Sequence, residues 1–167
     1  MATIILQQDA PELRRVAELV PTSEFGKPKL KNIINELKAA LVAEADGVAI
    51  AAPQLGINQQ IFVVSQRALG KVAVADLVFI NPTIIKQAKQ TKLLEEGCLS
   101  VRWVYGLVRR ATKVSVSAYD IAGKKFTYHG SGLLAQIFQH EIDHLRGILF
   151  IDQATRVTEV KPPINAQ

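Results

Sequence analysis

The hydrophobic positions change period twice along the chain. Leu13, Val16, Ala17 and Val20 recur at helical spacing behind Asp9-Ala10-Pro11. Asp9 suits an N-cap and Pro21-Thr22-Ser23 a stop, so a first helix is expected there. Leu30, Ile33, Ile34, Leu37 and Leu41 repeat the period and predict a second helix over 28–44, ended by Asp46-Gly47. From Val48 to Lys125 short apolar runs between turn residues take over. Strands are expected at 48–51, 60–64, 77–80, 84–86, 107–109, 114–119 and 125–128. Val114, Val116 and Ala118 alternate with Ser115, Ser117 and Tyr119, as in a half-exposed strand. Helical spacing returns near Ser131 with Leu133, Leu134, Ile137, Phe138, Glu141, Ile142 and Leu145, and Gly147 suits the C′ position. The expected fold is α+β: short, mainly antiparallel strands packed around a C-terminal helix, with N-terminal helices. Without a repeat or linker, one domain is expected over 1–152. A tail follows over 153–167, ending in the polar, Pro-containing VKPPINAQ.

Composition narrows the class. With 49% hydrophobic and 21% charged residues in 167, intrinsic disorder is excluded. The single cysteine, Cys98, excludes a disulfide scaffold. No run reaches the roughly 18 apolar residues of a membrane span. The N-terminus MATIILQQDAPEL has neither a basic region nor a small-residue cleavage site. A soluble protein of a reducing compartment, without a membrane partner, is expected. The net charge of +5 is carried by scattered basic residues, with no long run and no interleaved aromatics, so no specific nucleic-acid partner is read from it.

Chemistry enters in the last helix as His140-Glu141-Ile142-Asp143-His144. Residues four apart share a helix face, so both imidazoles reach one metal ion, and Glu141 is placed to act as a general base. Two of the chain's three histidines lie in this motif, beside the stripe of Ile137 and Phe138, where an unused polar group is costly. A catalytic site needs a third ligand and an open position. No histidine follows His144, Glu159 lies in the tail, and His129 precedes the helix at a strand end that suits a surface role. Cys98, in Glu95-Glu96-Gly97-Cys98-Leu99-Ser100, completes a hypothetical His₂Cys set. A third segment, Gly47-Val48-Ala49-Ile50-Ala51-Ala52-Pro53-Gln54, is a strand of small residues that admits close backbone approach and ends on the neutral donor Gln54.

GVAIAAPQ at 47–54, EGCLS at 96–100 and QHEIDH at 139–144 together resemble the peptide deformylase family. The resemblance extends over roughly residues 4–152, including APELRRVAELV, Asn81-Pro82 and GILFID at 147–152. It implies a hydrolase that removes the N-formyl group from the N-terminal methionine of newly made polypeptides, releasing formate. Cys98, His140 and His144 would hold one divalent metal, Fe²⁺ natively, with Zn²⁺, Ni²⁺ or Co²⁺ able to substitute. Glu141 would be the proton shuttle, and Gln54 and the Leu99 N–H the oxyanion donors. Val48, Ala49 and Ile50 would pair with substrate backbone, and Ile137 would line the methionine pocket. Gly97 would support the metal turn, and Asp46 and Arg110 would form an ion pair behind the site. N-formyl-methionyl nascent peptides, transient ribosome contact, a monomer and a bacterial-type cytoplasm follow from the same resemblance.

Ala49 stands where the family usually has a second glycine, and Arg102-Trp103 where a proline and a small or polar residue are usual. No long C-terminal helix of the kind some members use on the ribosome is expected after Asp152. A homologue with altered substrate range is therefore the first alternative. A non-catalytic metal-binding module is the second, and the intact Glu141 argues against it.

Overall fold

The computed structural model describes residues 4–70 and 75–164, so the last three residues of the expected tail lie outside it. Among the described residues there are two α-helices, α1 (Pro28–Ala43) and α2 (Leu133–Leu145). The strands are β1 (Ala49–Ala51), β2 (Ile61–Val64), β3 (Leu77–Gln87), β4 (Thr91–Cys98), β5 (Val101–Ala111), β6 (Lys113–Tyr119), β7 (Lys125–Ser131) and β8 (Thr155–Glu159). They form a five-stranded sheet in the order β1-β2-β3-β6-β7 and a three-stranded sheet in the order β4-β5-β8. Every strand pair is antiparallel, as the expected α+β fold requires.

The core follows from the alternation. Val114, Val116 and Ala118 point inward from β6 and meet Phe62, Phe79 and the α2 residues Ala135, Phe138, Ile142 and Leu145. Phe79 and Phe138 meet edge-on with centroids 5.1 Å apart, a favoured aromatic geometry. Leu30, Ile34, Leu37 and Leu41 of α1 cover the opposite face of the sheet at Ile50, Ile61, Val63 and Ile80. Helix α2 is therefore buried between the two sheets, touching β1 and β7 from one and β5 from the other.

Three expectations are corrected. No N-terminal α-helix forms: Pro11–Arg14 is a single 3₁₀ turn whose N-cap is Ala10 rather than Asp9. Leu13, Ala17 and Val20 are buried as the helical pattern requires, but Val16 is 67% exposed. The segment is held instead by backbone bonds to distant parts of the chain: Ala17 N–H to Leu145 O, Gln60 N–H to Glu18 O, and a parallel bridge from Glu18 to Gln59. Second, the runs at 77–80 and 84–86 are one strand, β3, kinked by register shifts, while β4 was not expected at all. Third, the stretch read as a tail contributes β8, which pairs with β5.

Gly147 ends α2 at φ 74°, and a Cβ there would lie 2.5 Å from Arg14 O. Glycine is thus required both for the left-handed turn and for the approach of the N-terminal segment.

Candidate metal centre

Two successive turns of α2 present His140 and His144, and the end of β4 presents Cys98. One ligand atom from each lies within 4.8 Å of the others, with Cys98 Sγ 3.2 Å from His144 Nε2. Burial resists ionisation of the Cys98 thiol, but the His144 and His140 imidazoles outweigh it and hold the thiol well below its ordinary value. Burial likewise opposes a charged His140, and Cys98 with Glu96 reverses that, raising it well above the ordinary range. These are the electrostatics of a pocket built to hold positive charge. Two imidazoles and a thiolate converging in this way fit a divalent transition metal with an open position.

Glu141 is buried beside this cluster and outside the ligand set, and its Oε2 has no hydrogen-bond partner. Burial raises its carboxyl above the ordinary value. A carboxyl in that condition takes up and returns a proton more readily than a solvated one.

Gln54 is fixed by its backbone neighbours. Its Oε1 accepts from Ala51 N–H at 2.8 Å, which turns the NH₂ group toward Ser100 Oγ at 3.0 Å and Cys98 Sγ at 3.7 Å. Leu99 is buried, and its carbonyl accepts from Gln7 Nε2 at 3.1 Å. Gly97 leaves room for an aromatic ring: a Cβ there would sit 2.7 Å from Tyr105 Cε1. A cavity of about 350 Å³ opens over the cluster. Val48, Ala49, Gln54, Gly97, Ile137 and Asp46 all line it. Ile50 does not; its side chain is fully buried under α1.

The expected Asp46–Arg110 pair does not form. Asp46 bonds to Arg102 Nη1 at 3.0 Å at the cavity mouth, and Glu44 also pairs with Arg102. Arg110 lies beneath the cluster, bonded to both Glu96 oxygens at 2.7 and 2.9 Å and to Asp143 at 2.7 Å. Strand register decides which carboxylate Arg110 meets, and β4 sets Glu96 rather than Asp46 beside it.

Glu96 was overlooked as a site residue. Its Oε1 accepts from His140 Nδ1 at 2.9 Å, which leaves Nε2 free to bind metal. Its carboxyl is drawn down to about 2: burial alone would raise it, but Arg110 and His140 prevail. The signal was available, because residues two apart on a strand share a face and Glu96 precedes Cys98 by two. Ser100, fully buried against Gln54, was overlooked for the opposite reason, since a lone serine carries no pattern.

The chain matches the family model of polypeptide deformylase over residues 2–160. It is 41% identical to a peptide deformylase of Halothermothrix orenii over 150 residues, 89% of this chain and 91% of that one. A peptide deformylase of Desulforudis audaxviator is 34% identical over 157 residues, covering 94% and 92%. Among solved structures, a peptide deformylase from Legionella pneumophila superposes with TM-score 0.83 at 38% identity, covering 93% of this chain and 88% of that one. A Met-Ala-Ser-bound class I type b peptide deformylase from Acinetobacter baumannii gives TM-score 0.84 at 31% identity, covering 92% and 99%. The motifs, the fold and these relatives agree: the chain belongs to the polypeptide deformylase family, hydrolases that remove the N-formyl group from newly made polypeptides.

Proposed function

We propose that Cys98, His140 and His144 hold one divalent metal, natively Fe²⁺, and that the cavity above them takes the formylated N-terminus of a nascent polypeptide. The observation that carries this reading is the convergence of the three donors beside a buried carboxyl that is not one of them. Bound there, the metal supplies Lewis acidity toward the formyl oxygen and the attacking water. Glu141 takes the proton of that water and returns it to the departing amine. The Gln54 amide and the Leu99 N–H donate to the oxygen as it gains charge, and such oriented donors contribute about 3 kcal/mol each. Glu96 fixes the His140 ring, and Ala51 fixes Gln54. Ile137 lines the methionine pocket, and the backbone over 48–50 pairs with the peptide.

Residues 1–152 form one metallohydrolase domain in this reading, to which β8 adds an edge. The protein acts as a monomer in a bacterial-type cytoplasm, in transient contact with the ribosome. Among the described residues no helix is long and apolar enough to cross a membrane.

The test is formate release from a formyl-Met peptide by protein loaded anaerobically with Fe²⁺, compared with Zn²⁺-, Ni²⁺- and Co²⁺-loaded protein. Turnover is expected with one metal per chain, and highest with Fe²⁺. Folded, metal-loaded protein that releases no formate would remove the reading.

A modified substrate range is favoured by one observation at the cavity mouth. Trp103 holds a left-handed backbone at φ 65°, unusual for a bulky residue, and its ring lies 5.9 Å from the Arg102 guanidinium. Arg102 is tied to Asp46 and Glu44, so the Trp103 ring is held at the rim with Val48 and Leu133. Trp103→Gly is expected to leave stability within about 1 kcal/mol, because relief of backbone strain offsets the lost packing. The KM for peptides with an apolar residue after methionine should rise several-fold, with kcat unchanged. An equal change for every second residue would show that Trp103 has no part in selection.

A further inference from the structure

The five-stranded sheet has a second face that the active site does not use. Residues directly opposite in an antiparallel pair share a face. Val114, Val116 and Ala118 point into the core toward α2, so their alternating neighbours point the other way. The register then places Lys86, Ser115 and His129 in one outward row, with Lys113 and Ser131 beside it. Thr83, Ser117 and Thr127 make the next row, followed by Tyr119 and Lys125. Helix α1 packs on β1 and β2, and the Phe25 ring lies tilted against Tyr119 with centroids 5.7 Å apart. The remainder is open: Lys86, Lys113, Lys125, Thr127, His129 and Ser131 are all exposed. A concavity of about 440 Å³ lies within it, lined by Lys86, Lys113, Ser115, His129 and Ser131 among others. Ser115 Oγ and His129 Nδ1 are 2.7 Å apart there.

Strands β3, β6 and β7 contain no Asp or Glu. Residues 77–140 hold nine Lys and Arg against three Asp and Glu, so the net charge of +5 resides in this part of the chain and the rest is nearly neutral. Of the three acids, Glu96 is buried against Arg110, and Glu95 lines the active-site cavity. Asp120 turns its Oδ1 to the N–H groups of Ala122 and Lys124. Lys86, Lys89, Lys92, Lys113, Lys124 and Lys125 make no ion pair among the described residues.

We propose that this face docks the sugar–phosphate backbone of duplex RNA. Lysines set among hydroxyls are the groups that contact phosphate oxygens and fix a protein on a duplex. Among the described residues no exposed Phe, Tyr or Trp lies on the face to make a base-stacking platform, so binding is independent of sequence. Of the large apolar residues of these strands only Ile85 is exposed, which is too little to insert into lipid. Choosing RNA among polyanions rests on the deformylase reading, since substrates still being synthesised emerge from an RNA-built machine. Helix α2 and the cavity lie on the other side of the sheet, so a docked duplex leaves the cavity free.

The test is fluorescence anisotropy of a labelled RNA duplex of about 20 base pairs with the full-length chain, between about 50 and 200 mM salt. The expected result is binding whose log Kd rises with log salt at a slope of about 3, from about three phosphate contacts. K86E/K113E/K125E should weaken it at least about tenfold. K27E/K31E/K38E, at the N-cap of α1 and along it, with the same change in net charge, should weaken it less than about threefold. Equal loss from both triple variants would overturn the proposal, because net charge alone would then account for binding. Binding to phosphatidylserine vesicles with no binding to RNA would also overturn it. Formate release from a free formyl-Met peptide by the metal-loaded K86E/K113E/K125E protein should match the unaltered chain. RNA binding without formate release in either protein would count against the deformylase reading and leave the docking face standing.

Discussion

Glu141→Ala is expected to keep its metal and lose turnover, with formate release falling by a factor of about 10²–10⁴. The three proposed ligand atoms belong to Cys98, His140 and His144, so the metal stoichiometry should not move. The carboxyl is buried, raised above its ordinary value by that burial, and has one oxygen without a partner. Removing such a group costs no hydrogen bond at that oxygen and relieves a burial penalty. The melting temperature should therefore stay level or rise, as often happens where a site is built at the expense of stability. Glu141→Gln, which keeps the shape and removes the base, should be as inactive. Metal analysis, a thermal melt and a formate assay on one preparation decide the matter. Loss of metal in Glu141→Ala would make Glu141 a ligand and break the proposed division of roles.

How much was legible in the sequence differs between short-range and long-range features. Helix α2 was legible because its period and its H-E-x-x-H motif coincide on one element, and Gly147 closes it where expected. Helix α1 was equally plain. The segment 9–20 shows the limit of periodicity. Leu13, Ala17 and Val20 are buried, yet the chain makes only one 3₁₀ turn there and bonds to residues more than forty positions away. Those backbone bonds satisfy the groups a helix would have satisfied, and nothing in a local pattern announces them. Strand β4 was hidden because Thr91-Lys92-Leu93-Leu94-Glu95-Glu96 does not alternate, being an edge strand of which only Glu96 is buried before Cys98. The convergence of Cys98, His140 and His144, and Gln54 beside Cys98, were legible through motifs. The contact of Ser100 with Gln54 and the true partners of Arg110 depend on which strands lie side by side, and register has no signature in a single sequence.

The partners of Arg110 carry the second large effect. Arg110→Met is expected to lower stability by about 3–5 kcal/mol and metal affinity by about 10–100-fold. Arg110 and Glu96 are each 5% exposed or less at their side chains, and Asp143 also leans on the guanidinium. Methionine fills the volume but leaves the Glu96 carboxylate buried with only His140 beside it. Glu96 then draws on His140 for compensation, and the ring that should offer Nε2 to a metal loses its fixed orientation. Adding Glu96→Gln to Arg110→Met removes the stranded charge, so it should recover a good part of the stability without recovering metal affinity. That separation distinguishes a positioning network from simple packing, which would restore both or neither. The pH dependence of the metal-stripped chain gives an independent check. In the unaltered protein the Glu96 carboxyl is held at about 2, below its ordinary 4.5. Its contribution is therefore fully present above about 4.5 and lost as pH falls toward 2. Arg110→Met lacks that contribution at the outset. The gap in unfolding free energy between the two proteins should be constant above pH 5 and close as the medium is acidified from about 4.5 to 2. A gap that persists at about pH 2 would mean that Arg110 stabilises the fold through its packed side chain rather than through the charge on Glu96.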